Sequence, residues 1–326
     1  VSNNIESRKR LFDKFSSQLH LLRDEGLLNI DLKFERTYIC PICLRQFEES
    51  DLISTVDKNF LTEEDAPPAK LDGQRVALTC FECNSTAGHQ IDVHLINRIK
   101  YIDRSKFYKG SKQEGFFEYE GKRIMAEITS NGDGTLEILH KTKNNNPTLL
   151  DKFMYGIKNK DIGPLLNLQP KRTNDNSDRV NLALLKTNYI ITFSKFGYIF
   201  LLDKHYDNIR EQIRDVNKGF DRQIFLKDQF SNNKIGTYYV FNDDAKSIFN
   251  IFSLRTEYSE TLIGAILPLP EKTPDEIYKS LVTNGFSTEK SGETDVTLNT
   301  RNYDPDADVF SDMKEIMKIV NWIKTP

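Results

Sequence analysis

The sequence predicts an α+β protein: a small zinc-stabilised module near one end, followed by a larger domain mixing antiparallel sheet with helices. Three observations carry this expectation. All four cysteines fall in two CxxC pairs, Cys40-Pro-Ile-Cys43 and Cys80-Phe-Glu-Cys83. Apolar residues recur at helical spacing at both ends of the chain and in its middle, while β-branched and aromatic runs separated by turn residues fill the stretch from Gln223 to Pro270. With 326 residues, 38% apolar and 11% aromatic, the chain can bury a core and has the length of two domains or one elaborated one.

Residues 1–37 read as an N-terminal helix and its lead-in. Leu11, Phe15, Leu19 and Leu22 follow at intervals of four, four and three, which puts them on one stripe of a helix ending near Gly26. Leu32 to Ile39 is an extended approach to the first CxxC, and Phe47 to Asn59 a charged surface insertion. Residues 38–112 make the zinc module. Residues 113–173 hold a three-stranded meander with strands at Phe116 to Tyr119, Arg123 to Thr129 and Leu136 to His140. Its tight turn is Asn131-Gly132-Asp133-Gly134, and a polar loop from Lys141 to Thr148 follows.

The break at Asn174 to Ser177 opens the last domain, 174–326. Its first helix, Val180 to Phe200, is apolar round much of its circumference, hence buried, and broken near Gly197. A more polar helix runs from Tyr206 to Arg214. Strands at Ile224 to Leu226, Gly236 to Phe241, Ile248 to Leu254 and Thr261 to Leu267 suggest an antiparallel sheet. Thr273 caps a helix with Pro274 at its first position. Ser287 to Asp308 reads as polar and mobile, and Asp312 to Lys324 as a closing amphipathic helix. Arg179, Lys186, Arg210 and Arg214 read as surface charges within reach of phosphates. The domain carries no recognisable chemistry of its own.

Two CxxC pairs are a strong metal signal, because each presents two thiolates from a tight turn and together they complete a tetrahedral Zn²⁺ shell. Free buried cysteines or two disulfides are the alternatives. Neither explains why no cysteine lies outside the pairs, and disulfides need an oxidising compartment. The charged opening from Val1 to Lys14 does not read as a secretory signal, and the apolar stretches are too short and too charged to span a membrane. The expectation is a soluble, cytoplasmic protein.

The residues between and after the pairs carry a resemblance. Leu61-Thr-Glu-Glu64-Asp65-Ala-Pro67-Pro68 leads to Gly73, an apolar strand from Val76 runs into the second CxxC, and Asn84 follows Cys83 directly. Over roughly sixty residues this resembles the zinc-bearing branch of the HNH endonucleases, in whose ββα-metal fold a β-hairpin and a helix surround one divalent cation. The resemblance implies a structural zinc on Cys40, Cys43, Cys80 and Cys83, and a catalytic Mg²⁺ or Mn²⁺ placed by Glu64 and Asn84.

One position departs from the pattern. The family's general-base His, which takes a proton from the attacking water while the cation stabilises developing charge, is here Asp65. An aspartate with an ordinary pKa of about 3.9 is a weak base at neutral pH. Asp65 is therefore a base, a cation ligand, or the mark of an inactive site. His89, five residues after Asn84 and about 140° round a helix from it, is either a substitute base or a solvated or capping histidine. Asp92 projects nearer the Asn84 side, and His94 reads as a packing residue.

The net charge is −3, from 45 basic and 48 acidic residues, so no global field draws nucleic acid to the chain. A local basic surface suffices for a nuclease. The candidate is Lys70 from the hairpin with Arg98, Lys100, Arg104, Lys106, Lys109 and Lys112, interleaved with Tyr101, Phe107 and Tyr108, and the plain alternative is a solvated helix end and loop. No P-loop, dinucleotide fingerprint or internal repeat is present. The expected function is metal-dependent hydrolysis of phosphodiester bonds in nucleic acid, DNA ahead of RNA by the resemblance, in a setting such as restriction or phage defence. A second copy of the chain or a regulatory protein are the expected further partners. The alternative is a zinc-stabilised nucleic-acid-binding or protein-interaction module without catalysis.

Overall fold

A computed structural model describes residues 2–53, 59–140, 142–159, 168–170, 175–219, 223–227, 230–283, 287–290 and 293–324. The protein is α+β, built from helices and antiparallel sheets. It divides into two units: Val1–Ile96, Asn176–Arg255 and Glu260–Pro326 form the larger, and Asn97–Asp175 with Thr256–Ser259 the smaller. Among the described residues no helix is long and apolar enough to cross a membrane.

Helix α1 (Ser2–Asp24) buries Leu11, Phe15, Leu19 and Leu22, the stripe expected from their spacing, together with Phe12. It also buries Gln18, whose Nε2 donates to the carbonyls of Phe196 and Val309 at 3.0 and 2.7 Å and whose Oε1 accepts from the Tyr198 amide at 2.8 Å. One amide side chain thus satisfies three backbone groups from segments far apart in sequence. Strands β1 (Tyr38–Ile39) and β2 (Gln46–Phe47) flank the first CxxC. A single 3₁₀ turn, Glu49–Leu52, begins the charged insertion, of which residues 54–58 lie outside the described chain.

Strands β3 (Leu61–Ala66) and β4 (Gln74–Cys80) form the hairpin, and α2 (Phe81–Ala87) leaves directly from its second strand. At the hairpin tip only glycine fits position 73, since a Cβ there would lie 1.5 Å from the Pro67 carbonyl oxygen. A π-turn, Gly88–Asp92, separates α2 from α3 (Val93–Ser105). The Tyr38 hydroxyl donates to the Leu78 carbonyl at 2.7 Å and accepts from its amide at 3.1 Å, which ties β1 to β4.

In the smaller unit β5 (Lys112–Tyr119), β6 (Lys122–Ser130) and β7 (Leu136–His140) form the meander. Helix α4 (Pro147–Lys158) follows, beginning at the end of the polar loop expected from Lys141 to Thr148 and running on where the sequence suggested no element. Its start signal is local: Asn146 Oδ1 accepts from the Leu149 amide at 3.2 Å and Pro147 takes the first position. Leu149, Leu150 and Phe153 then pack on Phe117, Ile124 and Ala126. Strand β8 (Leu168–Pro170) adds a fourth strand, in the order β7-β6-β5-β8.

Helix α5 (Ser177–Phe196) is buried on all sides, and Gly197 at φ +57 ends it. A Cβ at position 197 would meet Gln18 Oε1 at 1.9 Å, so the break and the Gln18 clamp require each other. Short α6 (Tyr198–Leu201) and α7 (Asp207–Arg214) lead to β9 (Phe225–Lys227), β10 (Gly236–Val240), β11 (Ser247–Arg255) and β12 (Glu260–Pro268). Helix α8 (Pro274–Thr283) starts at a capping box of Thr273 and Glu276. A small hairpin of β13 (Ser287–Lys290) and β14 (Glu293–Val296), strand β15 (Thr300–Asn302) and α9 (Met313–Lys324) close the chain. The polar stretch expected to be mobile therefore supplies an edge strand, and the sheet order is β15-β10-β11-β12-β9. Asn250 on β11 reaches α5, its Nδ2 donating to Asn188 Oδ1 at 2.7 Å and to Thr192 Oγ1 at 2.8 Å.

Candidate functional site

The two CxxC turns bring their sulfurs together. After Cys43 the chain turns at Leu44 (φ +59), whose amide bonds to the Cys40 carbonyl at 2.9 Å, so the first pair sits on a tight loop. Cys80 ends β4 and caps α2, which places Cys83 one turn into the helix. All four Sγ atoms lie within 4.8 Å of one another, and those of Cys43 and Cys80 are 3.6 Å apart. A tetrahedral Zn²⁺ with ligands at about 2.3 Å needs sulfurs separated by about 3.8 Å, so the set fits such an ion. Burial pushes the Cys40 thiol up, while hydrogen bonding from Cys40, Cys43 and Cys83 holds Cys80 far below the ordinary thiol range. Four sulfurs this close cannot all keep protons comfortably, and a cation such as zinc resolves the conflict. Among the described residues this is the one group of three or more His, Cys, Asp or Glu side chains close enough to share an ion.

A second cluster lies under the hairpin. Three elements build it, two of them through a local irregularity. The register of β3 on β4 slips between Glu64 and Asp65, a bulge that re-aims neighbouring side chains. The π-turn ends at Asp92, and α5 contributes Lys186. Lys186 is 1% exposed, Glu64 2% and Asp92 7%. The Lys186 ammonium donates to Glu64 Oε1 and to Asp92 Oδ2, each at 2.7 Å, and Thr79 Oγ1 donates to Glu64 Oε2 at 2.7 Å.

Burial alone would push the Lys186 ammonium down; the charges of Glu64 and Asp92 outweigh it and hold the group above the ordinary lysine value. Asp92 is raised, first by burial and then by Glu64, against the pull of Lys186. Asp65, half-buried beside them, is raised by burial and by Glu64, with Arg75 and Lys186 opposing. Arg75 itself pairs with Glu63 at 3.3 Å. Four carboxylates therefore face two cations, an excess of two negative charges when all are ionised. Two buried oxygens, Asp92 Oδ1 and Glu63 Oε1, have no hydrogen-bond partner among the described residues.

The residues singled out from sequence fall as follows. Asn84 Nδ2 donates to Thr62 Oγ1 at 2.9 Å and to the Glu63 carbonyl at 2.8 Å, clamping α2 to β3. Asp65 makes no hydrogen bond to another side chain among the described residues. His89 is exposed on the π-turn and makes none to Glu64, Asp65 or Asp92. His94 accepts from the Asn176 amide at 3.1 Å and lies 3.4 Å from an Arg179 nitrogen. Lys70 is exposed at the hairpin tip. In the smaller unit Lys100 and Lys106 are exposed and Arg104 half-buried, whereas Arg98 is paired with Asp175.

Two surface charges expected from sequence are in fact interior. Arg210 is buried against the Leu201 carbonyl at 2.6 Å and Asp207 at 2.7 Å, and Lys186 is the hub of the acidic cluster. The signal for Lys186 was present: it is a lone charge at the centre of a helix read as buried all round, and such a charge needs an internal partner. Comparison with known protein families, with curated proteins and with solved structures finds no match.

Chemically, the cluster offers carboxylates held rigidly by an ammonium and a hydroxyl, with Asp65 on its accessible side. Such a set can accept a proton, and two of its carboxylates could serve a hydrated hard cation, although no three of them lie close enough to share one ion.

Proposed function

We propose that this chain is a divalent-cation-dependent endonuclease of HNH type, whose ββα unit is β3, β4 and α2, stapled by zinc on Cys40, Cys43, Cys80 and Cys83. The observation that carries the proposal is the acidic cluster: two backbone irregularities aim carboxylates at one buried ammonium and leave net negative charge and an orphaned Asp92 oxygen. Buried ion clusters seldom stabilise a fold better than apolar side chains of similar volume. This one is therefore better explained by chemistry than by stability.

Mg²⁺ or Mn²⁺ would be held at the free Asp92 oxygen beside Glu64, and would stabilise negative charge developing on a scissile phosphate. The chain's own residues do the rest. Lys186 and Thr79 fix the Glu64 carboxylate, and Asn84 locks the helix to the hairpin through its Nδ2. Asp65 accepts the proton of the attacking water or completes the cation's ligands, and Lys70 meets backbone phosphates. DNA ahead of RNA, and a setting in restriction or phage defence, rest on the resemblance of the motif.

One observation favours a second function, a zinc-stabilised nucleic-acid-binding module without catalysis: both Glu64 oxygens are already engaged and the group is almost fully enclosed. Plasmid DNA and structured RNA incubated with Mg²⁺ or Mn²⁺, against a chelator, separate the two. A nuclease cleaves, and Asp65→Ala lowers the rate by about 100-fold or more. Salt-sensitive binding without cleavage supports the second function. Neither cleavage nor binding removes nucleic acid as the substrate.

A further inference from the structure

We propose that Lys186 is the resident inner cation of the acidic cluster, a positioning residue whose ammonium fills a place that a divalent ion takes when the lysine is removed. It holds Glu64 and Asp92 together and leaves the second Asp92 oxygen to an exchangeable ion. Only that last step, the use of the exchangeable ion in cleavage, rests on the nuclease proposal.

Geometry supports this in three ways. Lys186 reaches carboxylates on two separate elements, β3 and the π-turn, at equal distances of 2.7 Å. An ammonium has three donors and no acceptor, so with two of them spent on carboxylates it acts as a compact positive charge between them, as a bound cation would. The helix that carries it cannot slide, because Asn188 and Thr192 are bonded to Asn250 of β11.

The partners are placed as deliberately as the lysine. Asp92 closes a π-turn, and single π-turns inside helices recur at functional sites because they move one side chain off its regular bearing. Glu64 stands at the β3 bulge. Of its two oxygens one is held by Thr79 and the other by Lys186, so its carboxylate has no freedom left. Asp92 keeps one oxygen unpartnered, and that atom is buried. Other buried polar atoms, Thr187 Oγ1 among them, also lack a partner among the described residues, but the Asp92 oxygen belongs to a carboxylate that already shares a cation with Glu64.

The test uses the full zinc-loaded chain without nucleic acid, in buffer freed of divalent ions, with Mn²⁺ added as the probe. Thermal unfolding and Mn²⁺ binding, read from the paramagnetic signal of the free ion, are measured for the native chain, Lys186→Met and Asp92→Asn. Lys186→Met, which keeps the bulk and removes the charge, is expected to melt about 5 °C lower without Mn²⁺. Mn²⁺ should restore at least half of that loss, and the variant should bind the ion at least tenfold more tightly than the native chain. Asp92→Asn retains the Lys186–Glu64 pair and is expected to lose Mn²⁺ binding.

A Lys186→Met variant whose melting ignores Mn²⁺ would overturn the proposal. Should that variant not fold, Asp92→Asn decides alone: Mn²⁺ binding equal to that of the native chain would also overturn it. If both variants behave as expected and the native chain cleaves nothing, the inner-cation role stands and the nuclease proposal falls.

Discussion

Replacing Thr79 by valine removes one donor from the buried acidic cluster while nearly preserving shape. Thr79 is fully buried on β4, and its hydroxyl donates to Glu64 Oε2 at 2.7 Å. Glu64 would keep Lys186 but leave its second oxygen without a partner. A hydrogen bond to a charged group contributes about 1.5–3 kcal/mol, and the unmet acceptor sets the cost. The added methyl returns about 0.8 kcal/mol, so the expected loss is about 1–2 kcal/mol. With an unfolding entropy of about 2.1 cal/mol/K per residue, that lowers Tm by about 2–3 °C.

Thr187 supplies the control. Its hydroxyl is buried with no partner among the described residues, so Thr187→Val exchanges an unsatisfied polar atom for a methyl and should be neutral or stabilising by about 1 kcal/mol. Threonine and valine have similar helix propensities, which keeps the backbone contribution small. Denaturant unfolding of both variants beside the native chain reads the two signs. If Thr79→Val is as neutral as Thr187→Val, the Glu64 oxygen is satisfied from elsewhere and the rigid cluster inferred here does not exist.

Other outcomes are expected on the same grounds. The native chain should carry one zinc ion by metal analysis, and Cys80→Ser should lose it together with cooperative unfolding, because structural zinc supplies folding energy directly. Gln18→Ala should cost about 3 kcal/mol in denaturant melts, since it removes the partner of two carbonyls and an amide; a loss below about 1 kcal/mol would mean water enters the clamp. Lys14 is exposed as a residue, but its ammonium lies over the Phe310 ring at 3.8 Å, and its desolvation, then the nearby Lys195 charge, brings it from 10.5 down to about 8. Between those values the unfolded chain holds a proton that the folded one has lost, so Lys14 makes stability rise with pH through that window and contributes no such slope below it. Lys14→Met should flatten the rise, and an amine reagent should label Lys14 half-maximally near pH 8.

Much of the scaffold was legible from local chemistry. The spacing of Leu11, Phe15, Leu19 and Leu22 marks a helix because one stripe must be buried. The CxxC pairs predict a sulfur cluster because metal ligation needs thiolates on tight turns, and the Thr273-Pro274 start of α8 follows from backbone groups that only a cap can satisfy. Helix α4 was hidden by its polar approach, although Asn146-Pro147 is a regular start signal. Strand β15 was hidden because an edge strand of three exposed residues has no apolar alternation to detect.

The acidic cluster divides along the same line. Glu64 and Asp65 stand out in the sequence because they sit beside a hairpin turn and a CxxC. Lys186 is 122 residues from Glu64, and nothing in the spacing of α5 says which carboxylates will face it. Nor can an α-helical count from Asn84 locate Asp92 once a π-turn intervenes. Local spacing marked the strongly periodic helices and strands and singled out four thiolates as one ligand set, because amphipathic periodicity and CxxC spacing are written in neighbours within a few residues. That a buried ammonium joins β3 to the π-turn is a property of the packed fold, because the partner of a buried charge is set by which distant segments come together.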